Sequence, residues 1–404
     1  MITLPPTPIL PAGITSPERE LLLRCARVEP SLVAQEEIRH WCRAGVDWKV
    51  LRRLAQGHQL SPLLFRSLDR VCPELVPAEQ LDRMRNRFHA NVAFSLQIGH
   101  FLAEILDHLE AAGIRAVTLK GPALAAQAYG EPALRAYRDL DLLVRREDVL
   151  RARTLLEAYG YEAFPKLSSV QERVFMRSEC EFWFESPGEQ FPLEVHWDLR
   201  EAAYAYTLDV ADCWQRLEQV EIGGRTVPVL GTTDTWLMLS CHAAKHRWGH
   251  LKLVCDLAEL LRTMPKLDWD GLIARAAQFH GLRMLLLGFQ LAGELLGAPL
   301  PDPVLRAMAA DRTLPTLAGD VTAYLFADGR GGRQSLSSTR LYLRMRERWQ
   351  DRLRYGTATL FTPTLEDWNS LSLPEPLFPL YSLVRPIRLL MRPLLTRRPA
   401  TAAQ

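Results

Sequence analysis

The sequence predicts an α+β protein in which a small mixed sheet is flanked by N-terminal and C-terminal helical regions. Apolar residues recur at three- and four-residue steps in the first quarter of the chain and again in its second half, which is the spacing of amphipathic helices. Between these regions lie short, partly β-branched segments bounded by glycines, which are typical of strands. The length of 404 residues and the 48% share of apolar residues predict a globular protein of two or three units.

Residues 1–96 are predicted to form the N-terminal helical region. Two Ser-Pro pairs predict helix starts, because a hydroxyl can cap the first turn and proline is tolerated at its first position; these pairs are Ser16-Pro17 and Ser61-Pro62. An apolar stripe predicts a long helix over 81–112, and Gly113 is predicted to end it.

Residues 97–230 are predicted to form the α/β core. Strands are predicted over 114–119, 139–144, 179–185, 191–197 and 225–230, and helices over 122–129 and 146–159. The segments 179–185 and 191–197 flank Ser186-Pro187-Gly188, so we predict that they form an antiparallel hairpin.

Residues 231–404 are predicted to form a C-terminal helical domain, with helices over 232–261 and 269–296 and a loop over 327–338. His242, His246 and His250 lie four residues apart, which would align them on one helix face. They lack the glutamate of a His-Glu-x-x-His zinc site, so packing against the core is favoured over metal binding.

Asp139 and Asp141 are the most informative residues of the chain. Alternate side chains of a strand project to one face, so the two carboxylates would lie side by side while the neighbouring leucines are buried. Adjacent carboxylates repel each other unless a cation or a proton lies between them. Mg²⁺ suits such a pair, because it prefers one or two carboxylates together with water and phosphate oxygens. The alternative is a solvated strand end whose acids pair with Arg135 and Arg138.

Glu194 is the predicted third carboxylate of this site. It alternates with apolar neighbours in a predicted strand and shares a face with His196. If that strand pairs beside the one that carries Asp141, Glu194 reaches the same metal region. Glu181, on the predicted partner strand, is the alternative for this role.

Composition and motifs argue against several classes of protein. The net charge of +2 gives no strong signal for a nucleic-acid partner. None of the seven cysteines forms a Cys-x-x-Cys pair, and no Walker loop, Gly-x-Ser-x-Gly elbow or kinase His-Arg-Asp loop occurs. The N-terminus does not resemble a signal peptide, and no stretch approaches the ~20 apolar residues that span a bilayer, so a cytoplasmic protein without a transmembrane segment is expected.

The order of these motifs resembles the uncharacterised nucleotidyltransferase family of the DNA polymerase β-like superfamily, most clearly over residues 95–260. The matching features are a strand, Lys120-Gly121, a short helix, Arg135, Asp139-x-Asp141 and Glu194-x-His196-Trp197. The resemblance implies that Gly121 lies at the triphosphate of a nucleoside triphosphate (NTP). It also implies that Asp139 and Asp141 bind Mg²⁺ or Mn²⁺ and that Glu194 is the third catalytic and metal-binding acid, which helps the acceptor hydroxyl lose its proton.

The glycine turn departs from the superfamily pattern, because Pro122 stands where serine or glycine is usual. By the same resemblance, Lys120, Arg135 and Arg138 would supply positive charge for the phosphates. An ordinary solvated lysine is the alternative for Lys120, and His246 is a candidate for the border of the nucleotide cleft.

The function predicted by this resemblance is Mg-dependent transfer of a nucleoside monophosphate (NMP) from an NTP to a hydroxyl or phosphate acceptor. The acceptor is left open between a small molecule, a peptide and a protein. Two alternatives also stay open: a catalytically degenerate module of the same fold that binds a nucleotide or a partner, and a sugar transferase that uses Asp-x-Asp to hold a metal.

Overall fold

The computed structural model describes residues 16–186, 191–199, 209–326 and 336–395. The predicted α+β class is confirmed, because helices precede and follow one seven-stranded mixed sheet. Among the helices of these ranges, none combines the length and the apolar character needed to cross a membrane. The predicted loop over 327–338 lies largely outside the described residues.

The N-terminal helices confirm the helical prediction for this part of the chain. They are α1 Pro17–Cys25, α2 Leu32–Ala44, α3 Trp48–Gly57, α4 Ser61–Val71 and α5 Ala78–Ala111. The Ser16 hydroxyl accepts a hydrogen bond from the backbone N–H of Arg19 at 3.2 Å, as a capping residue should. Ser61, in contrast, is the first residue of α4 and not its cap, because the residue before the helix is Leu60.

The core contains the predicted strands and additional short elements. Its elements are β1 Ala116–Thr118, α6 Gly121–Leu124 with a π-helical turn Ala125–Tyr129, β2 Leu140–Val144, α7 Val149–Ala158, β3 Glu162–Phe164, α8 Ser169–Ser178, β4 Glu181–Glu185, β5 Leu193–His196, α9 Val210–Cys213, β6 Glu218–Ile222 and β7 Arg225–Val229. The sequence prediction missed β3, β6, α8 and α9.

The strand order is β3-β4-β5-β2-β1-β7-β6. The predicted hairpin is confirmed, because β4 and β5 pair antiparallel. Strand β5 also pairs with β2 in parallel, and the register places Asp141 opposite Glu194. The start of β2 adjoins the end of β1, since these two strands are antiparallel.

Strand β2 is buried along its whole length, and its two faces meet different hydrophobic cores. Leu140, Leu142 and Val144 belong to a core that also contains Phe182. Leu143 faces the other core, which joins the N-terminal helices to the C-terminal ones. Because side chains alternate along a strand, Asp141 projects towards the same side as Leu143.

The C-terminal part is helical, as predicted. Its helices are α10 Thr232–Lys245, α11 Leu251–Thr263, α12 Trp269–Gln278, α13 Leu282–Leu296, α14 Asp302–Ala310, α15 Leu314–Leu325, α16 Leu336–Arg344, α17 Trp349–Phe361, α18 Leu365–Ser370 and α19 Tyr381–Leu395. Residues of α10 to α15 share one core with α1 to α4. Helix α5 continues through the predicted boundary at residue 96, and the division into 1–96, 97–230 and 231–404 stays a prediction.

Two predicted helices are each divided in the structure. The prediction of one helix over 232–261 is wrong, because Arg247 and Trp248 have positive φ angles of 56° and 55° and separate α10 from α11. The prediction over 269–296 is wrong for a similar reason: His280, with φ of 58°, lies between α12 and α13. A right-handed helix cannot continue through such residues.

A close approach of α11 and α13 generates the first prediction. At Gly288 of α13, a Cβ atom would lie 2.5 Å from Leu257 Cδ1 and 2.7 Å from Trp248 Cη2. Both neighbours are fully buried and have no room to move aside. We expect Gly288→Ala to lower the free energy of unfolding by about 1–3 kcal/mol through overpacking, as measured by urea denaturation.

Gly319 provides the matched control, because it also lies within a helix, α15, but has no atom within 4 Å of the Cβ position. Gly319→Ala should raise the free energy of unfolding by about 0.5–1 kcal/mol, since alanine loses less backbone entropy. Equal effects of the two changes would contradict the packing explanation.

Candidate functional site

The candidate site lies where the end of β1 meets the starts of β2 and β5. Strand β1 leads into Lys120 and Gly121, while β2 and β5 carry Asp141 and Glu194 at paired positions. The backbone N–H of Leu119 donates to the carbonyl oxygen of Asp141 at 3.0 Å, which fixes the turn against β2. The sheet therefore brings together residues that are far apart in the sequence.

Gly121 permits this close approach. Its φ angle is +53°, and a Cβ atom at this position would lie 3.3 Å from the carbonyl oxygen of Asp139. A side chain here would be strained in backbone conformation and tightly placed against the chain. The glycine thus allows the Lys120-Gly121 turn to lie against the start of β2.

Asp141 is the centre of a buried polar network. Its Oδ1 atom lies 2.6 Å from Lys120 Nζ and 3.2 Å from His196 Nε2, and the residue is only 2% exposed. His196 Nε2 also lies 3.4 Å from Glu194 Oε2, and His196 Nδ1 lies 3.0 Å from Glu181 Oε2. Both carboxylates that the sequence analysis weighed for the third position therefore contact the same imidazole.

The charges in this network shift the pKa values of its members. Burial opposes ionisation of Asp141, but the Lys120 ammonium and the hydrogen bond from His196 outweigh it and hold the pKa of Asp141 well below its usual range. Burial likewise opposes protonation of His196, but bonds to Asp141, Cys180 and Glu194 raise its pKa well above the usual value. The network therefore favours the charged forms of Asp141, Lys120 and His196.

Glu194 behaves differently from Asp141. Burial raises the pKa of Glu194, and the negative charges of Asp141 and Glu181 add to that rise. This carboxylate is therefore more basic than an ordinary glutamate.

Two groups of side chains in the described residues could hold a metal ion. They are Asp141, Glu194 and His196, and Cys180, Glu181 and His196; within each group the ligand atoms lie within 4.8 Å of one another. Asp139 belongs to neither group, although it lines the same cleft. The predicted strand over 139–144 begins in the structure at Leu140, so Asp139 precedes the strand and is half-buried.

Arg135 has a partner that the sequence analysis did not identify. Its Nε and Nη2 atoms donate to the two carboxylate oxygens of Asp256 at 2.8 and 2.9 Å, and the hydroxyl of Tyr129 donates to the same carboxylate at 2.7 Å. The suggested pairing of Arg135 with Asp139 or Asp141 is therefore wrong. Arg138 is exposed at the cleft.

A cleft of about 1530 Å³ connects these residues. The sheet end supplies Lys120, Gly121, Asp141 and Glu194, and other walls come from α3, α5, α10 and the start of α11. The basic residues on α3 and α5, together with Lys252, were not identified by the sequence analysis. The spacing of cations at 49, 52 and 53 could have indicated a basic helix face.

The three histidines are divided by the break after α10. The prediction that they align on one helix is wrong, because α10 ends at Lys245 and His250 precedes α11. The rings of His242 and His246 lie 4.5 Å apart, whereas His250 Nδ1 lies 2.9 Å from the carbonyl oxygen of Gly57. The protein around the cleft lowers the pKa of His246 to about 4 by desolvation, with the neighbouring charge of Lys245 contributing, so its ring is neutral at pH 7.

The chain belongs to the family described as uncharacterised nucleotidyltransferase, whose model matches residues 44–297. The resemblance noted from the motifs is thereby confirmed. The match extends beyond residues 95–260 and includes α3 to α5, which form one wall of the cleft. A comparison with curated proteins gives no match.

The buried Arg135–Asp256 pair generates the second prediction. Removing one partner leaves the other charge buried and unpaired, so we expect Arg135→Met and Asp256→Asn each to lower the free energy of unfolding by about 3–5 kcal/mol. The double variant should lose much less unfolding free energy than the sum of the two single losses. Urea denaturation of the wild type, the two single variants and the double variant would measure this.

The Arg70–Glu29 pair is the exposed control, and Glu29→Gln should change the free energy of unfolding by no more than about 1 kcal/mol. Additive effects of the two changes at Arg135 and Asp256 would show that their charges are not coupled.

Proposed function

We propose that this protein transfers an NMP group from an NTP to a hydroxyl or phosphate acceptor, with Mg²⁺ or Mn²⁺. The observation that carries the proposal is the grouping of Asp141, Glu194 and His196 beside Lys120 at the end of an open cleft. Membership of a nucleotidyltransferase family supports the same reaction class.

The donor groups fit a divalent cation. Asp141 and Glu194 offer carboxylate oxygens from paired positions of adjacent strands, which suits Mg²⁺. His196 Nε2 is also compatible with Mn²⁺ once it has lost its proton to solvent. Asp139 remains part of the proposed ligand set because it lines the same cleft. A bound divalent ion would neutralise charge on the phosphates and on the attacking and leaving oxygens.

Lys120 has two roles in this proposal. Without a divalent cation, its ammonium provides the positive charge that Asp141 needs. With a cation bound, the flexible lysine side chain can turn towards a phosphate oxygen as a point charge. Arg138 and His246 line the same cleft and would contact the nucleotide, while Arg135 would hold the wall in place through Asp256.

Glu194 is the proposed general base. Before a cation binds, its raised pKa makes its carboxylate a stronger proton acceptor than that of an ordinary glutamate. In the proposed step, the acceptor oxygen forms a bond to the α-phosphorus, and where that oxygen is a hydroxyl its proton passes to Glu194. The bond between the α-phosphorus and the bridging oxygen breaks, and pyrophosphate leaves with its electron pair.

A second candidate function is binding of a nucleotide or a partner without turnover. The observation that favours it is the 2.6 Å contact between Lys120 Nζ and Asp141 Oδ1. The lysine thereby takes up a carboxylate oxygen that a bound metal ion would need as a ligand. The altered glycine turn, with Pro122 after Gly121, points in the same direction.

The third prediction separates these two functions. The protein would be incubated with Mg²⁺, each α-labelled NTP in turn, and a cell extract that supplies small molecules, peptides and proteins. Transfer predicts label on an acceptor and release of pyrophosphate, and Asp141→Asn or Glu194→Gln should each reduce both by at least about 100-fold. Glu185→Gln is the matched control, because Glu185 is an exposed carboxylate on β4 that does not line the cleft.

Nucleotide binding by calorimetry without label transfer would favour the second candidate. Equal labelling by wild type and Asp141→Asn would refute the site.

The fourth prediction concerns the competition between Lys120 and a divalent cation. Lys120→Met removes the ammonium next to Asp141, so we expect Mn²⁺ to bind the nucleotide-free protein more tightly, as followed by electron paramagnetic resonance. The same change should weaken NTP binding about tenfold, since a phosphate contact is lost.

Lys252→Met is the control, because this cleft lysine donates to the carbonyl oxygen of Ala136 and not to the acidic group. Unchanged or weaker Mn²⁺ binding by Lys120→Met alone would rule out the proposed exchange of cations.

A further inference from the structure

One wall of the cleft is basic and comes from two N-terminal helices. Its cations, called the basic wall below, are Lys49, Arg52 and Arg53 of α3 and Arg83 and Arg87 of α5. Positions 49, 52, 53 and 56 fall on one face of α3, and 83, 86, 87 and 91 fall on one face of α5. The two faces meet where Arg87 Nη1 donates to Gln56 Oε1 at 3.4 Å.

Most cations of the basic wall lack an ion-pair partner among the described residues. Arg83 pairs with Glu79 at 2.6 Å, but in the part of the chain that the structure describes, no carboxylate forms an ion pair with Arg52, Arg53 or Arg87. The buried Nε atom of Arg52 has no hydrogen-bond acceptor among those residues. Several cations without counter-charges on one concave surface form a site for an anion.

Asp47 lies at the start of α3, near enough for the charges of Lys49 and Arg53 to help lower its pKa, but it forms no ion pair with either among the described residues. Its carboxylate caps the helix and accepts from the backbone N–H groups of Lys49 and Val50 at 2.8 and 3.0 Å. The carboxylates that line the cleft come from the sheet end and not from α3 or α5, and are Asp139, Asp141, Glu181 and Glu194. The cleft therefore has an acidic end and a separate basic wall.

The size of the cleft allows two ligands at once. A pocket for one small molecule has a volume of roughly 300–1,000 Å³, and this cleft measures about 1530 Å³. An NTP whose triphosphate lies at Gly121 and Lys120 would leave the basic wall available to a second molecule.

We propose that the basic wall binds a phosphate group of the acceptor, so that the acceptor of this enzyme is a phosphorylated molecule. Guanidinium groups suit this role, because their planar donors match phosphate oxygens in pairs. With its phosphate held by Arg53 and Arg87, the acceptor extends across the cleft and places its nucleophilic oxygen near Glu194. This inference rests on the proposed function, because it names the acceptor class of that reaction.

The test measures binding of inorganic phosphate to the full chain by calorimetry, with and without Mg²⁺ and a saturating non-hydrolysable ATP analogue. Phosphate should bind in both states and acetate should bind far more weakly. The double variant Arg53→Gln/Arg87→Gln should weaken phosphate binding at least tenfold and change analogue binding less than twofold. Both side chains are exposed, so the variant should fold normally, and thermal unfolding checks this.

Arg85→Gln is the matched control, because Arg85 also lies on α5 but pairs with Asp69 and Asp82 and does not line the cleft. It should bind phosphate as the wild type does.

Three results would overturn the inference. The first is unchanged phosphate binding by the double variant, and the second is acetate binding as tight as phosphate binding. The third is displacement of phosphate by the ATP analogue, which would assign the basic wall to the triphosphate of the NTP. Failure of the analogue to bind, while phosphate still binds through Arg53 and Arg87, would refute the proposed function and leave the wall as a phosphate site.

Discussion

The buried charge of Asp141 is the constraint on which the arrangement of this molecule depends. Removing a carboxylate from water costs several kcal/mol unless opposite charges and hydrogen bonds replace the solvent. Here Lys120 and His196 replace the solvent around Asp141, with nitrogen atoms 2.6 and 3.2 Å from its Oδ1 atom. Lys120 can reach Asp141 because the turn at Gly121 lies against the start of β2. His196 can reach the same carboxylate because β5 pairs with β2. Three strands must therefore hold their register for one carboxylate to remain ionised.

The position of the cleft follows from the way the two cores divide the sheet. Asp141 projects to the side on which N-terminal and C-terminal helices share a core, so these helices surround the polar end of the sheet. A second buried ion pair, between Arg135 and Asp256, ties the segment before β2 to α11 on the same side. This arrangement gives the cleft walls from distant parts of the chain, with acids at the sheet end and cations on α3 and α5.

Local patterns predicted most of the elements but not their breaks. The helix over 81–112, the hairpin of β4 and β5, and the strand that carries Asp141 all have strong periodicity and clear end signals. The breaks after α10 and α12 were missed because the signal at each is a single glycine that a helix can tolerate, Gly249 after Trp248 and Gly281 after His280. Strand β3 was missed because its three residues are too few to show alternation, and β6 because it is mostly exposed and its residues are mainly polar.

The sequence by itself determined the class of fold, the family resemblance and the identity of Asp141 and Glu194 as candidate site residues, since these depend on spacing within single elements. Only the tertiary structure decided which side chains meet. It places His196 between three carboxylates, pairs Arg135 with Asp256, and brings the basic faces of α3 and α5 into the same cleft as the acids. The physical reason is that two charged groups interact according to their distance in space. Strand pairing and helix packing set that distance for segments far apart in the chain, and the residue pattern within each segment does not reveal its partner.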